Sequence, residues 1–267
     1  MKDFSLDIYR ALLEGLQAKG YELVSYSDYC RNIDKSTNRN IEGKFVILRH
    51  DVDLKAQNSL KTAQIEHAIG AKASYYFRII PESNQPEVIR AIVKLGHEIG
   101  YHYEDMSLCN GDIDKAYDHF QTWLEYFRKY YAVETICMHG APTSKWDSKD
   151  LWKKYNYREL GIIGEPYMDT DFSDVFYLTD TGRCWDGYKV SLRDKIEKWQ
   201  DEWIRQGLVF HTTEQLISWL QDDSQPKRNL MITTHPQRWT DNNGEWLKEL
   251  TMQKAKNIVK RVLVATK

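Results

Sequence analysis

Residues 45–53 read Phe45-Val46-Ile47-Leu48-Arg49-His50-Asp51-Val52-Asp53. Four consecutive apolar side chains with no alternation describe a strand buried on both faces, as in a parallel sheet covered by helices. The run then breaks into Arg, His and Asp at its carboxyl end, which is where an α/β barrel builds its active site. Extended residues two apart face the same side, so Asp51 and Asp53 can both point into one mouth. Two carboxylates that close repel each other unless a cation or a shared proton intervenes. The plainer alternative is that Asp53 caps the next helix and Asp51 is solvated.

Elements on either side follow the same alternation. Ile8, Leu12, Leu13 and Leu16 predict an opening helix closed by Gly20, and the polar residues 29–43 read as a loop. After the 45–48 strand come a helix over 56–68, a strand over 73–77 and a helix over 88–95, opened by Pro86 and stopped by Gly96. Residues 98–102 read as a short strand, 112–131 as a long amphipathic helix and 134–138 as a strand. A less regular stretch to about residue 190 precedes a helix near 192–205, an extended run at 208–211 and a helix over 213–220. A late strand over 229–234 and a final helix over 246–264 complete the chain. Six or seven strand–helix units without a Gly-, Pro- or Ser-rich linker imply an α/β fold with a closed or nearly closed barrel. The chain reads as a single catalytic domain over 1–267, with 1–43 as an N-terminal extension and 241–267 as a C-terminal helix.

Composition narrows the function. With 37 Lys and Arg against 39 Asp and Glu, the net charge of −2 gives no basic excess for a nucleic-acid partner. No stretch approaches the ~18 apolar residues of a membrane span, and the charged start lacks a signal-peptide core. A cytoplasmic protein without a membrane anchor is expected. Cys30, Cys109, Cys137 and Cys184 form no CxxC pair and read as free thiols. The high aromatic content, nine Trp and 17 Tyr, suits either a core or a sugar-binding cleft.

Three more segments carry chemistry. His102 ends the 98–102 strand and is followed by Glu104 and Asp105, an imidazole-and-carboxylate set suited to Zn²⁺ or another divalent first-row metal. A hydrogen-bonded histidine is the plainer reading of His102 alone. His139 in Met138-His139-Gly140-Ala141-Pro142 and His235 in Thr234-His235-Pro236-Gln237-Arg238-Trp239 each follow a buried strand that a Pro then stops. Four strands delivering His or Asp at one end favour a site over coincidence. His97 lies at the opposite end of its strand and reads as structural, and His67, His119 and His211 receive no role.

These motifs, in this order, resemble the polysaccharide deacetylase (NodB-homology) family of carbohydrate esterases. Asp51-Val52-Asp53, Ala73-Ser74-Tyr75-Tyr76-Phe77 and Gly96-His97-Glu98-Ile99-Gly100-Tyr101-His102 carry the likeness over residues 44–240. The HDVD, HYE and HPxRW combination is similar to the branch associated with surface-polysaccharide gene clusters. The resemblance implies a distorted (β/α)₇ barrel and metal-dependent hydrolysis of an N-acyl or O-acyl group on a sugar. It matches Asp51 to the catalytic base, Asp53 and His102 to metal ligands, and His235 to the acid that protonates the leaving group.

One family position departs. The second His of the HxxxH motif falls at Met106, a soft and poor ligand for such a cation. His139 is the first candidate for the third ligand and Glu104 the second. Arg183 is a candidate to restore the positive charge of the family arginine that His139 displaces, and Trp185 and Trp239 are candidates to stack on a sugar. The expected function is removal of an N-acyl, chiefly acetyl, group from an acylated sugar or glycan precursor. The expected cofactor is zinc, with nickel, cobalt or iron as alternatives. Two rivals are a catalytically impaired carbohydrate-binding homologue on the same barrel, and a deformylase or cyclic-amide hydrolase.

Overall fold

The computed structural model describes residues 1–33, 41, 43–141, 144–185, 194–224 and 228–265. Its centre is the strand that the 45–53 segment announces. Strand β2 (Lys44–Val52) pairs along its first half with β1 (Tyr21–Val24) and along its second half with β3 (Ser74–Phe77). Its other edge carries β7 (Asn229–Thr234). The sheet continues from β3 to β4 (Glu98–Tyr103) and β5 (Ile136–Met138), and from β7 to β6 (Val175–Thr179). Every pairing is parallel, and among the described residues β5 and β6 do not pair. The result is an open, seven-stranded α/β half-barrel: the α/β class follows from the strand–helix alternation, and the distortion is what the family resemblance implies.

Ten helices connect and cover the strands among the described residues. They are α1 (Leu6–Ala18), α2 (Tyr26–Ile33), α3 (Ala56–Ala68), α4 (Pro86–Lys94), α5 (Asp105–Leu108), α6 (Ile113–Arg128), α7 (Pro166–Asp169), α8 (Glu197–Arg205), α9 (Thr213–Gln221) and α10 (Asn243–Ala265). Local rules place the longer ones. Ser5 caps α1 by accepting the Ile8 N–H at 3.3 Å, and the helix buries Ile8, Tyr9, Leu12, Leu13 and Leu16. Asp112 caps α6 by accepting the Lys115 N–H at 3.2 Å, so that Ala116, Phe120, Leu124 and Phe127 meet the sheet.

Three expectations change. Residues 26–33 are helical where a loop was expected from residue 29. Tyr26, Tyr29 and Cys30 turn inward there, and Glu98 at the start of β4 accepts the Ser27 N–H at 2.9 Å. The stretch read as irregular contains β6, five buried residues in register with β7. Residues 208–211 form no strand, although the Phe210 carbonyl accepts the Trp185 N–H at 2.9 Å. Pro142, expected to stop β5, lies outside the described residues.

The two faces of β2 separate scaffold from site. His50 points outward to the helices, where its Nε2 lies 2.6 Å from Glu66 Oε1 and its Nδ1 2.6 Å from Thr234 Oγ1. The Tyr75 hydroxyl donates to Glu66 at 2.6 Å, and Tyr9 donates to the same carboxylate. Burial pushes Glu66 up, but His50 and its hydrogen bonds outweigh that and hold it ionised. Arg49 and Asp51 alternate with His50 and point inward. The interior below them is filled by the Tyr76 ring, which occupies the space a side chain at Gly100 would need. A Cβ there would fall 2.4 Å from the ring.

Candidate metal centre

Six strands each place an ionisable residue in the first position after their carboxyl end. β2 gives Asp53, β3 Arg78, β4 Glu104, β5 His139, β6 Asp180 and β7 His235. In a flat sheet β5 would lie about 14 Å from β2, three strand spacings away. His139 Nε2 is nevertheless 3.4 Å from Asp53 Oδ1, so the sheet curls until these ends face one another.

Asp53, His102 and His139 form the core of the ring. His102 Nε2 lies 3.6 Å from Asp53 Oδ1, and the three ligand atoms fall within 4.8 Å of one another. His102 Nδ1 is 2.9 Å from the Cys137 carbonyl oxygen, which can only accept, so the proton sits on Nδ1 and Nε2 keeps its lone pair. Burial, with His139 alongside, pushes the His102 pKa well below the usual histidine range. His139 Nδ1 lies 3.1 Å from Glu104 Oε2, which again leaves Nε2 as an acceptor facing inward. Asp53 Oδ1 is buried and has no hydrogen-bond partner. Burial would raise the Asp53 pKa, but positive charge on His139, His235 and His102 outweighs this and leaves it lowered.

With both rings neutral, Asp53 Oδ1, His102 Nε2 and His139 Nε2 converge with no proton between them. A divalent cation satisfies that arrangement, and two imidazoles with one carboxylate form a donor set suited to Zn²⁺ or a neighbouring first-row metal. A second cluster, Asp51, His102 and Cys137, is a poorer fit. Burial raises the Cys137 thiol pKa strongly, so it stays protonated, and both Asp51 oxygens are held by Arg49.

Two charged pairs flank the centre. On one side Arg49 grips Asp51 through Nε at 2.9 Å and Nη2 at 2.6 Å. Burial disfavours the guanidinium, but Asp51 outweighs this and keeps Arg49 charged. Asp51 Oδ2 is 3.7 Å from His102 Nε2. On the other side His235 Nε2 lies 3.8 Å from Asp53 Oδ2, and its Nδ1 lies 2.6 Å from Asp180 Oδ1. Asp180 also accepts the His235 backbone N–H at 2.9 Å and the Trp239 indole N–H at 2.8 Å, and it pairs with Arg238. Burial and Arg238 push the His235 pKa down, but Asp180 and Asp53 outweigh them and leave it raised.

The structure thus brings together Asp51, Asp53, His102, His139 and His235. The other expected site residues lie elsewhere. Glu104 stands behind His139 rather than beside the ligand atoms, with Arg78 donating to it at 2.8 and 2.9 Å. Burial pushes its pKa up, but His139 and then Arg78 outweigh this and bring it down to about 2. Arg183 is turned away over the rings of Phe4 and Trp246, at 4.5 and 5.1 Å. Trp185 and Trp239 are core residues at 1% and 0% exposure, packed with Phe4 and Tyr9, and so offer no face for a sugar. The positive charge beside Asp51 belongs to Arg49. Sequence reasoning missed Asp180 because it missed β6. The apolar run Val175-Phe176-Tyr177-Leu178 ending in Thr179-Asp180 was the available signal.

No family model and no curated protein match this chain. Among solved structures, it is similar to BA3943, a CE4 family pseudoenzyme from Bacillus anthracis. The two are 13% identical over 80% of this chain and 62% of that one, with a TM-score of 0.41. A BA3943 mutant with restored enzymatic activity gives the same identity and TM-score over 80% and 64%. Bacillus subtilis PdaA, a family 4 carbohydrate esterase, is 12% identical over 92% of this chain and 84% of its own, with a TM-score of 0.39. This chain spans 62% of the BA3943 chain's length. Among the described residues, no helix is long and apolar enough to cross a membrane.

Proposed function

We propose that the protein is a metal-dependent hydrolase that removes an N-acyl group, acetyl foremost, from a sugar or glycan precursor. The convergence of Asp53 Oδ1, His102 Nε2 and His139 Nε2 within 4.8 Å of one another, with Asp53 Oδ1 buried and unpartnered, carries this reading. A cation held there supplies Lewis acidity toward an acyl oxygen and a lowered pKa for water.

The flanking pairs divide the proton work. Asp51 lies beside the ligand cluster with its carboxylate fixed by Arg49, and it accepts the proton of the attacking water. His235 enters protonated, because Asp180 and Asp53 favour its cation, and gives that proton to the departing sugar amine. An amide needs such an acid, because an unprotonated amine anion leaves poorly. Asp51 lies 3.7 Å from His102 and His235 3.8 Å from Asp53, so the base and the acid are separate groups, each beside a ligand residue. The resemblance of the Asp51-Val52-Asp53, His102 and His235 motifs to the polysaccharide deacetylase family supports a sugar amide as substrate.

Asp51→Asn tests the division. Elemental analysis is expected to find about one zinc per chain in both wild type and variant. Release of acetate from N-acetylated sugars is expected to fall by at least the ~10²-fold typical of a lost general base. Wild type without metal after reconstitution, or an active Asp51→Asn, would overturn the proposal.

A further inference from the structure

His139 is an unusual third ligand, because nothing on its own strand fixes its ring. β5 has three residues, and its pairing with β4 continues only through the His139 N–H, which donates to the Tyr103 carbonyl at 2.8 Å. That bond anchors the backbone and leaves the imidazole free to choose between two tautomers. In the Nε2–H tautomer the ring would donate to Asp53 Oδ1, 3.4 Å away, and so fill the ligand position with a proton. Only the Nδ1–H tautomer presents a lone pair to a cation.

The structure selects that tautomer through two residues that lie outside the ligand set. Glu104 Oε2 receives the His139 Nδ1–H at 3.1 Å. Glu104 is itself gripped by Arg78, through Nε at 2.8 Å and Nη2 at 2.9 Å. Arg78, Glu104 and His139 are the first residues after β3, β4 and β5, three neighbouring strands; the register sets Glu104 level with His139, and Arg78, level with His102, reaches across to Glu104 with its long side chain. At position 106, one turn further along, Met106 is buried at 4% exposure and offers no alternative.

We infer that Arg78 and Glu104 form a positioning relay that makes His139 a competent third ligand, an inference that rests on the metal centre proposed above. Neither residue touches the ligand position. Their effect is to hold one proton on Nδ1 and one ring orientation, and outer partners of this kind typically change metal affinity by about 10–100-fold.

The test compares wild type, Glu104→Gln, Glu104→Ala and Arg78→Met as full-length proteins. Zinc affinity is measured by competition with a chromophoric chelator, and the His139 tautomer by imidazole ¹⁵N NMR of the zinc-free proteins. Glu104→Ala is expected to bind zinc about 10–100-fold more weakly and to lose the pure Nδ1–H signature of His139, while His102 keeps its own. Glu104→Gln, nearly isosteric and still able to accept, is expected to recover part of both, which a merely structural residue would not do. It also decides the case if the alanine variant does not fold. Arg78→Met is expected to weaken zinc several-fold, and unchanged affinity there would remove Arg78 from the relay. Tight zinc binding by wild type with the same affinity and tautomer in Glu104→Ala overturns the inference and leaves the metal centre standing. No zinc binding by wild type overturns both.

Discussion

Asp53→Asn should stabilise the metal-free protein and abolish its response to zinc. In the native site Asp53 Oδ1 is buried without a hydrogen bond, facing two imidazole lone pairs at 3.4 and 3.6 Å. An asparagine of the same shape puts an NH₂ there, with one N–H for each imidazole. Its oxygen takes the place of Oδ2, which accepts from Gln237 at 3.4 Å. Relieving a buried unsatisfied group is worth about 1–3 kcal/mol. Unfolding entropy of about 2.1 cal/mol/K per residue over 267 residues makes 1 kcal/mol equal to roughly 2 °C, so the metal-free variant should melt about 2–5 °C higher.

Zinc closes that gap or reverses it. At a free concentration of about 100 Kd a ligand that binds only the folded state adds about 2.7 kcal/mol, or about 5 °C on the same scale. Wild type should show that shift. Asp53→Asn, with the anionic ligand replaced by a neutral amide that donates into the site, should show almost none. Thermal unfolding at pH 8, with and without zinc, measures both quantities. A metal-free variant that melts at or below wild type, or equal zinc shifts in the two proteins, would refute the reasoning.

Two further substitutions separate site from scaffold. The folded pKa of His235 is raised above its unfolded value of about 6.5, so its stabilising contribution is complete below that pH and is lost as pH rises through the folded value. Asp180→Asn leaves burial and Arg238 unopposed on that side, so an NMR titration of zinc-free protein should find His235 below the ordinary range, and an unchanged titration would rule out Asp180 as its partner. Trp239→Ala empties a fully buried position, and urea unfolding should show a loss of about 3–5 kcal/mol, whereas a loss under 1 kcal/mol would mean the ring is not in the core.

The fold and the centre were legible to different depths for a physical reason. Strand ends announce themselves by a change from apolar to charged residues, and Asp51, Asp53, His102, His139 and His235 all follow that rule. What a side chain faces after the strand has ended is not written in the spacing. Glu104 stands two residues from His102, which in an extended strand means the same face, but β4 stops at Tyr103 and Glu104 adopts φ −140°, ψ 27° as α5 begins. The turn carries its carboxylate behind His139. Trp185, Trp239 and Arg183 failed for a related reason. An aromatic or cationic residue beside a motif reads alike whether it lines a mouth or packs beneath it. Arg49 was available from the pattern, since it shares the inward face with Asp51 by simple alternation.

Met106, standing where the resembled family carries a second histidine, changes what a bound cation would hold together. With ligands at 102 and 106 both would come from the end of one strand. With His139 as ligand the set spans β2, β4 and β5, from the middle of the sheet to an edge strand of three residues. That edge is tied by few bonds, among them Ile136 N–H to Gly164 O at 3.1 Å, Met138 N–H to Glu165 Oε1 at 2.9 Å and His139 N–H to Tyr103 O at 2.8 Å. If local opening of β5 must release His139 from zinc, saturation at about 100 Kd should slow exchange of these amides by up to about 100-fold, the ratio of bound to free sites. Amides of α9, on the far side of the sheet from these ligands, should not respond. Hydrogen exchange with and without zinc reads this directly. Protection confined to β2 and β4 would mean that His139 does not hold the metal, whatever its distance from Asp53.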